Sequence, residues 1–538
     1  MNNNTAENNS GAFPVCSPIV VEEPFVLDKP SLQDNTADWD RLIKHLKKKG
    51  FEPLILTGMT LEKLKRFAET VRKNNFSGRA VLIYAKDGWD IVDVAESPSA
   101  ESTTGGPFGA AFDLGTTRIA FYLIDLSTAK VIYETSVANP QIPFGEDILS
   151  RIHYASTDEK LKELQTLLID AFNNVIEKVM GELHFSTNRI YAMAVAGNTT
   201  MSHFFLGLNP SYICREPYIP VANSFPIFRG RELGLSMNPD GIVYIFPNVG
   251  SYFGGDAVAG IIASGMYQDE DISLLVDVGT NAEVVLGNKD WLIACAGAAG
   301  PALEGGVVER GMMAAPGAID RVRINPETLE LTYHTIGDQN PIGICGSGLI
   351  DLIAEMFQAG FLTIQGKINT KLKSPRIVNT PDGTGFIVAF AEETGDRKDL
   401  IVTDIDIGIL LKSKAAMYTI LNIIARKVGL DIHDIDKFYV AGTFGNHIDP
   451  QMAIRIGMLP DLPIEKFVPM GNTSGKGASM LLLNRKILQD IEEICTKITY
   501  VELNVNVELI HEFRGALFLP HTDPSLFPSV RIPEIAKG

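Results

Sequence analysis

Length, composition and charge limit the functions open to this chain. It has 538 residues, of which 45% are hydrophobic and 21% are charged, and its formal net charge is −18. This length exceeds what one hydrophobic core normally fills, so two or three domains are expected. The acidic balance disfavours nucleic acid or an anionic membrane surface as a partner, because both attract cationic proteins.

The N-terminus and the cysteines indicate a cytoplasmic protein. The first ten residues are polar and contain no Lys or Arg, so they lack the regions of a signal peptide. No uninterrupted apolar stretch is long enough to span a bilayer. The five cysteines are scattered and include no C-x-x-C pair, which is not the pattern of a disulfide framework, a zinc site or an intrachain iron–sulfur cluster.

The chain before residue 108 is predicted to hold one small domain flanked by linkers. Residues 1–30 are expected to be a disordered tail and linker, residues 31–97 a small α/β domain, and residues 98–107 a second linker rich in Ser, Thr, Gly and Pro. Hydrophobic residues at helical spacing or in alternation predict the helices and strands of the small domain. These are helices at 38–49 and 61–74 and strands at 80–84 and 89–94.

Two acidic glycine turns of the same design begin the two halves of the remaining chain. Asp113 begins Asp-Leu-Gly-Thr-Thr, and Asp277 begins Asp-Val-Gly-Thr-Asn. Apolar runs flank each turn, which predicts a strand, a tight turn and a strand, used twice. The repeat predicts an α/β core over 108–530 with duplicated halves at about 108–265 and 266–530. The second half is longer, and the excess is expected as an insertion at about 287–403.

Such turns suit phosphate and magnesium. Their backbone N–H groups and hydroxyls can surround a phosphate, and the Asp can hold Mg²⁺ directly or through water. One such turn is weak evidence, because Asp and Gly are ordinary turn residues, but two matched copies favour a nucleotide site. The candidate Mg²⁺ ligands are Asp113 and Asp277; the candidate nucleotide-binding residues are Asp113, Gly115, Thr116, Thr117, Gly197, Asn198, Gly279, Thr280 and Asn281.

Two later glycine turns extend this site. Gly442, Thr443 and Gly445 lie in a predicted turn at 441–446, where the missing Cβ atoms would let the backbone approach a flat ligand. Gly471 and Asn472 begin a turn before a predicted helix at 478–484. This second turn is not a P-loop, because its Lys comes one residue early and is followed by Gly. A tight loop of purely structural importance is an equal alternative for it.

Two carboxylates are candidates for roles beyond the turns. Asp256 follows Gly254-Gly255 at the start of a small-residue helix and is predicted to act as a general base toward water or an alcohol. Helix N-capping is its structural alternative. Glu304 lies in a small-residue stretch, where it would bind a ribose hydroxyl or pair with Arg310; the sequence does not decide between the two.

These motifs resemble those of a known protein superfamily and, more closely, those of one family. The two D-x-G-T turns and the late Val-Ala-Gly-Thr-Phe-Gly turn resemble those of the acetate and sugar kinase, Hsp70 and actin superfamily of ATPases. That resemblance implies duplicated ribonuclease-H-like halves with ATP between them. Asp256 resembles the hydroxyl-activating Asp of many sugar kinases.

A closer resemblance is to the reductive activators of corrinoid proteins, and it covers about residues 25–530. It implies an ATPase that drives reduction of a Co(II) corrinoid on a partner protein to the Co(I) state. The segments that carry it are 139–141, 145–152, 196–201, 254–256, 299–305, 344–349 and 471–474.

The N-terminal region departs from that family. Its full-length members carry a plant-type [2Fe–2S] domain ahead of the linker, held by four cysteines, whereas this chain has Cys16 alone in that region. We therefore expect no iron–sulfur cluster in this chain. Either an external low-potential protein is the electron donor, or the chain is a truncated form, or its activity differs. The expected partners are the corrinoid protein and that donor, and a homodimer is included among the expected assemblies.

Three alternatives stay open. A small-molecule phosphotransferase of the sugar-kinase type would need a hydroxyl acceptor near Asp256, where polar sugar-binding side chains are not obvious. An activator of a dehydratase would share a [4Fe–4S] cluster between two subunits through Cys295 or Cys345, both in small-residue segments. A non-catalytic ATP-binding module is the third alternative.

Overall fold

The computed structural model describes residues 17–96, 105–279, 281–298, 308–501 and 507–534. The chain divides into two compact units. The first contains the described residues up to Ala263 together with Ser474–Thr496, and the second contains Ser264–Thr473 and the described residues from Lys497 onward.

A three-stranded antiparallel sheet with two helices begins the first unit. Its strands run in the order β1-β2-β3, and Leu42, Leu46 and Phe67 are buried in its core. The elements are β1 (Val20–Val26), α1 (Asp38–Lys48), α2 (Leu61–Lys73), β2 (Ser77–Tyr84) and β3 (Trp89–Ala95).

The prediction of a disordered tail over 1–30 is wrong for β1, which pairs with β2 along its whole length. Pro24 weakens the strand signal in the sequence, because proline has no N–H to donate. It is tolerated here because β1 lies at the edge of the sheet.

The rest of the first unit is built on a six-stranded sheet in the order β6-β5-β4-β7-β9-β8. The central strand β4 pairs antiparallel with β5 and parallel with β7. The elements are β4 (Phe108–Leu114), β5 (Arg118–Asp125), β6 (Lys130–Ala138), α3 (Ile148–Tyr154), α4 (Asp158–Glu182), β7 (Ile190–Gly197), α5 (Thr199–Leu206), β8 (Phe228–Arg229), α6 (Gly230–Leu233), β9 (Ile242–Ile245) and α7 (Gly255–Ser264).

The second unit holds another six-stranded sheet, in the order β20-β19-β10-β11-β12-β21, and two three-stranded sheets. Its elements are β10 (Ser273–Val278), β11 (Asn281–Gly287), β12 (Leu292–Ala298), β13 (Ala318–Ile324), β14 (Leu331–Thr335), β15 (Gly343–Ile344), α8 (Gly346–Gln358), β16 (Ile377–Thr380), β17 (Gly383–Ala389), β18 (Leu400–Thr403), α9 (Asp404–Lys427), β19 (Lys437–Ala441), α10 (Gly442–His447), α11 (Pro450–Arg455), β20 (Phe467–Gly471), β21 (Ile498–Tyr500) and α14 (Val507–Ala516). Helices α12 (Thr473–Leu483) and α13 (Ile487–Lys497) follow β20 in the chain, but Ser474–Thr496 belong to the first unit.

The two large sheets share one strand order. β6-β5-β4-β7-β9 in the first unit corresponds to β12-β11-β10-β19-β20 in the second, with the same antiparallel and parallel pairings around β4 and β10. This confirms the predicted α/β fold class with two duplicated ribonuclease-H-like halves. The excess of the second half begins after Ala298 rather than at about residue 287, because β12 is the third strand of the sheet.

Helix α9 is the core helix of the second unit. Thr403 caps it by accepting a hydrogen bond from Asp406 N. Among the described helices α9 alone is long and apolar enough to cross a bilayer, but 78% of its most apolar window is buried in the fold, and a buried core helix passes the same test. Its fully buried Lys414 donates to the carbonyl oxygens of Phe518 and Pro520.

Candidate functional site

The Asp113 turn joins β4 to β5 in the first unit. The residues paired with Asp113 on the two neighbouring strands are Ala120 and Ala196, whose small side chains leave space beside the carboxylate. Asn139 holds the turn from outside: its Nδ2 donates to Gly115 O at 2.8 Å, and its backbone N donates to Thr117 O at 2.9 Å. The turn is therefore fixed in shape by a side chain from the end of β6.

Asn198 connects this turn to helix α5. It is the N-cap of α5, because its Oδ1 accepts from Met201 N at 3.0 Å. Its Nδ2 donates to Thr116 Oγ1 at 3.1 Å. Gly197 precedes it, and a Cβ there would lie 2.9 Å from Leu114 O. The predicted residues of the two loops, around Thr116 and around Asn198, are thus brought together.

Two glycines allow close packing at the start of α7, Gly254 against the start of α5 and Gly255 against Phe246. A Cβ on Gly254 would overlap the backbone of Asn198, and a Cβ on Gly255 would lie 2.7 Å from Phe246 O. Larger residues would push the helices apart. Asp256 follows directly and so lies in the same cluster as Asn198 and Thr116.

Asp256 is the second residue of α7, so it does not occupy the N-cap position. Its Oδ1 accepts from Ala257 N at 2.8 Å. Burial raises the pKa of Asp256 to about 6, and the backbone hydrogen bond from Ala257 opposes that rise. A carboxyl with this pKa titrates near neutrality, which suits a general base.

Helix α12 meets the same cluster. Ser474, its second residue, donates from Oγ to Asp256 O at 3.4 Å. A Cβ on Gly475 would overlap the ring of Tyr122, and burial together with the nearby Glu134 and Asp113 raises the pKa of that tyrosine. The prediction that the helix begins at residue 478 is wrong, because Gly475 and its neighbours form the first turn of α12, where glycine permits close packing.

The Asp277 turn lies in the second unit. Asp277 pairs with Glu283 on β11 and with Ala441 on β19. Gly279 N donates to Asn281 O at 2.8 Å and closes the turn. Gly442 has φ +78°, and a Cβ there would lie 2.8 Å from Asp277 Oδ1, so only glycine fits against this carboxylate without strain.

The other predicted residues of the second half have mixed outcomes. The segment predicted as a turn at 441–446 is the short helix α10, and Gly445 serves close packing on Val440 O. Gly471 ends β20 with φ +67°, and Asn472 links it to α12. Thr280, Glu304 and the side chain of Thr443 lie outside the described residues.

The cysteines named in the dehydratase alternative are buried in the second unit. Burial and the nearby Glu283 raise the pKa of Cys295 to about 12. Cys345 has 2% of its surface exposed, and its Sγ donates to Ile319 O at 3.3 Å. A cluster shared between subunits needs accessible thiolates, so this geometry disfavours that alternative. Among the described residues, no group of three or more His, Cys, Asp or Glu could hold a metal ion.

Sequence reasoning missed several residues that the fold brings to the predicted ones. Glu283 carried a signal, since it is a charge within an apolar strand beside the Asp277 turn. Asn139 lay in a segment that carried the family resemblance, but its contact with Gly115 is not visible in one dimension. Ser474 likewise lay in a segment that carried the resemblance, whereas Tyr122 and Asn248 carried no signal of their own.

Comparison with known proteins identifies the family. Models described as the C-terminal domain of RACo the ASKHA domain, the RACo middle region and the RACo linker region match residues 271–531, 108–269 and 16–100. The corrinoid activation enzyme RamQ of Eubacterium limosum is 31% identical over 458 residues, which are 84% of this chain and 76% of that protein. The chain belongs to the RACo family.

Two further relatives agree with the assignment to the RACo family. The [Co(II) methylated amine-specific corrinoid protein] reductase of Methanosarcina barkeri is 26% identical over 423 residues, which are 73% of each chain. A solved structure of a reductive activator for corrinoid, iron–sulfur protein is 39% identical with a TM-score of 0.86, and the match covers 96% of this RACo-family chain and 81% of the other. The predicted resemblance is confirmed.

Proposed function

We propose that this RACo-family chain is an ATP-dependent activator of a corrinoid protein, which couples ATP binding and hydrolysis to reduction of Co(II) to Co(I) on that partner. The observation that carries the proposal is the relation to RamQ and to the solved reductive activator. The cluster of Asp113, Thr116, Asn198 and Asp256 in the first unit supplies the chemistry that ATP hydrolysis needs.

Each residue of the cluster is assigned a separate role in ATP hydrolysis. Asp113 and Asp277 would hold Mg²⁺, which neutralises phosphate charge. Thr116 and Asn198 would bind phosphate oxygens. Asp256 would orient the attacking water and accept its proton, with the γ-phosphoryl group transferred to that water and ADP as the leaving group. The Asp256 pKa of about 6 leaves it mostly ionised at neutral pH.

ATP hydrolysis can affect a bound partner only if it moves a part of this chain that the partner contacts. Helix α12 begins at the Asp256 cluster, and its last turn accepts hydrogen bonds from the chain that leads into β1: Ser17 N donates to Leu483 O at 3.2 Å and Ile19 N to Leu482 O at 3.0 Å. A shift of α12 on nucleotide binding would therefore move the small domain. Coupling of this kind favours one state of a bound partner over another.

Reduction of Co(II) to Co(I) takes one electron, and we propose that an external low-potential protein supplies it. The test is anaerobic UV–visible spectroscopy of a Co(II) corrinoid protein from the same source, mixed with this protein and a low-potential donor, with and without Mg·ATP. We expect the Co(I) band to appear only with ATP.

The control is the Asp256→Asn variant, which should bind ATP but fail to produce the Co(I) band. Absence of Co(I) with every donor would reject the proposal. If ATP turnover then increased with added sugars or small alcohols, the phosphotransferase alternative would replace it, because a hydroxyl acceptor would be taking the place of water.

A further inference from the structure

Asn248 carries a buried amide group whose oxygen is hydrogen-bonded and whose nitrogen is not. The residue follows β9, 3% of its surface is exposed, and its backbone N donates to Asn223 O at 2.8 Å. Its Oδ1 accepts from Gly255 N at 3.2 Å, at the first residue of α7. Within the described part of the chain, its Nδ2 is buried and has no partner.

The orientation of this amide is fixed by chemistry. Gly255 N–H is a donor, so the amide atom that meets it has to be the oxygen. The alternative rotamer would place two donors together. Nδ2 is therefore the other atom of the same amide, bonded to the carbon that carries this oxygen, and so it lies beside the start of α7.

Burying a hydrogen-bond donor without a partner destabilises the fold, so such groups are rare unless a ligand or water completes them. The N-terminus of a helix attracts phosphate through its free N–H groups. Asp256, the proposed base, is the next residue after the one that Asn248 caps. An unpartnered donor thus lies beside the start of α7, next to the residue proposed to orient the attacking water.

We infer that Asn248 is a further residue of the phosphoryl-transfer site, whose Nδ2 donates a hydrogen bond to an oxygen of the γ-phosphoryl group of ATP. This rests on the proposed ATP hydrolysis. Because Nδ2 is closed to solvent in this structure, the segment from Asn248 to Gly255 has to shift when ATP binds. The bond strengthens as charge grows on the transferred group, so it stabilises the transition state.

The test compares Asn248→Ser and Asn248→Asp with the wild-type protein. Asn248→Asp keeps an oxygen at the same distance from the backbone, which can accept from Gly255 N–H, whereas the oxygen of Asn248→Ser is one atom closer to the backbone and reaches Gly255 N–H only if the segment shifts. Both lose the amide donor, and Ser does so without adding a charge. Binding of ADP and of the ADP–aluminium fluoride complex is measured by calorimetry, together with kcat and KM for ATP.

We expect both variants to bind ADP within about twofold of the wild type, because ADP lacks the γ-phosphoryl group. The affinity for ADP–aluminium fluoride and kcat should fall by about 10- to 100-fold, with a smaller change in KM, as when a donor to a developing oxyanion is removed. Unchanged fluoride-complex affinity in Asn248→Ser would overturn the inference and leave Asn248 as a helix cap. An effect in Asn248→Asp alone would overturn it as well, because it would reflect added charge.

The outcome also separates this inference from the proposed function. A wild-type protein that binds neither ADP nor its fluoride complex contradicts the ATPase proposal itself. A wild-type protein that binds both, with an Asn248→Ser variant that does the same, contradicts only the role of Asn248. A thermal unfolding curve for each variant checks that the cap is retained.

Discussion

The two halves of the core share a scaffold but differ in the groups placed on it. Asp113 and Asp277 occupy the same position, each one residue before the end of the central strand of a sheet with the same order. The strand neighbours of Asp113 are two alanines, whereas Asp277 has Glu283 on one side. The loop between β4 and β5 has three residues, and the loop between β10 and β11 has two.

The helices that follow the corresponding strands β9 and β20, which are α7 and α12, differ as well. The second residue of α7 is Asp256, and the second residue of the corresponding helix α12 is Ser474. Duplication therefore preserved the backbone turns, while of the two corresponding helices α7 and α12 only α7 has a carboxylate as its second residue. We expect the first half to carry the proton transfer, and we expect Glu283 to make cation binding in the second half less dependent on a single aspartate.

The largest effect is expected from removing the two helix-start groups. Asp256→Asn should lower kcat for ATP hydrolysis by about 100-fold or more, because the amide cannot accept a proton. Ser474→Ala, the matched change in the second half, removes one long hydrogen bond and should lower kcat by less than about threefold. Steady-state ATPase assays measure both. Equal losses would show that the two helix starts act as a unit.

A pH-dependent effect on stability should also separate the two groups. The pKa of Asp256 is raised from 3.8 to about 6, so the folded protein keeps a proton that the unfolded chain releases between these values. Stability is therefore lost as pH rises through that range. Asp256→Asn should unfold at the wild-type temperature near pH 4 and at a higher temperature above pH 7, with a gain of at most about 3 kcal/mol.

Ser474→Ala is the control for this measurement, because a hydroxyl does not titrate in this range. It should show the same difference from the wild type at every pH. Thermal unfolding between pH 4 and pH 8 tests both variants. If Asp256→Asn gained no stability above pH 7, the burial of that carboxylate in solution would be less than the structure shows.

The sequence was sufficient for the architecture because hydrophobic periodicity is local. Helices α1 and α2 were predicted to within one residue at each end, and the repeated Asp-x-Gly-Thr turns indicated the duplication. The strand β1 was missed because Pro24 is compatible with a strand only at an edge, and the sequence does not show which strands are edges. Gly475 was assigned to a loop because its packing partner, Tyr122, is far away in the chain.

The turns of the candidate site could be predicted from the sequence, but the contacts between its residues could not. Asp113 and Asp256 carried motif signals that one sequence can show. The neighbours that set their chemistry depend on strand register and helix packing, as with Ala196 beside Asp113. The role of Asn248 depends on which atom of its amide faces Gly255, which only three-dimensional structure defines.

The smallest effect is expected for substitutions of the two turn aspartates, measured as the Mg²⁺ requirement of the ATPase. It tests whether the strand neighbour matters, which is Ala120 for Asp113 and Glu283 for Asp277. Asp113→Asn should raise the Mg²⁺ concentration for half-maximal ATPase activity by about tenfold, since no other carboxylate pairs with it across the sheet. Asp277→Asn should have a smaller effect, because Glu283 keeps a carboxylate on the adjacent strand. Magnesium titrations of the ATPase rate measure this.

The double variant Asp277→Asn/Glu283→Gln decides whether Glu283 is the reason. It should reach the tenfold shift of Asp113→Asn, while Glu283→Gln alone should change little. Asp277→Asn should also raise the unfolding temperature slightly, because it removes one of two like charges directly opposite each other in a sheet, and Asp113→Asn should not. Equal magnesium shifts in the two single variants would mean that the halves bind the cation alike, and the difference between Ala120 and Glu283 would then concern stability alone.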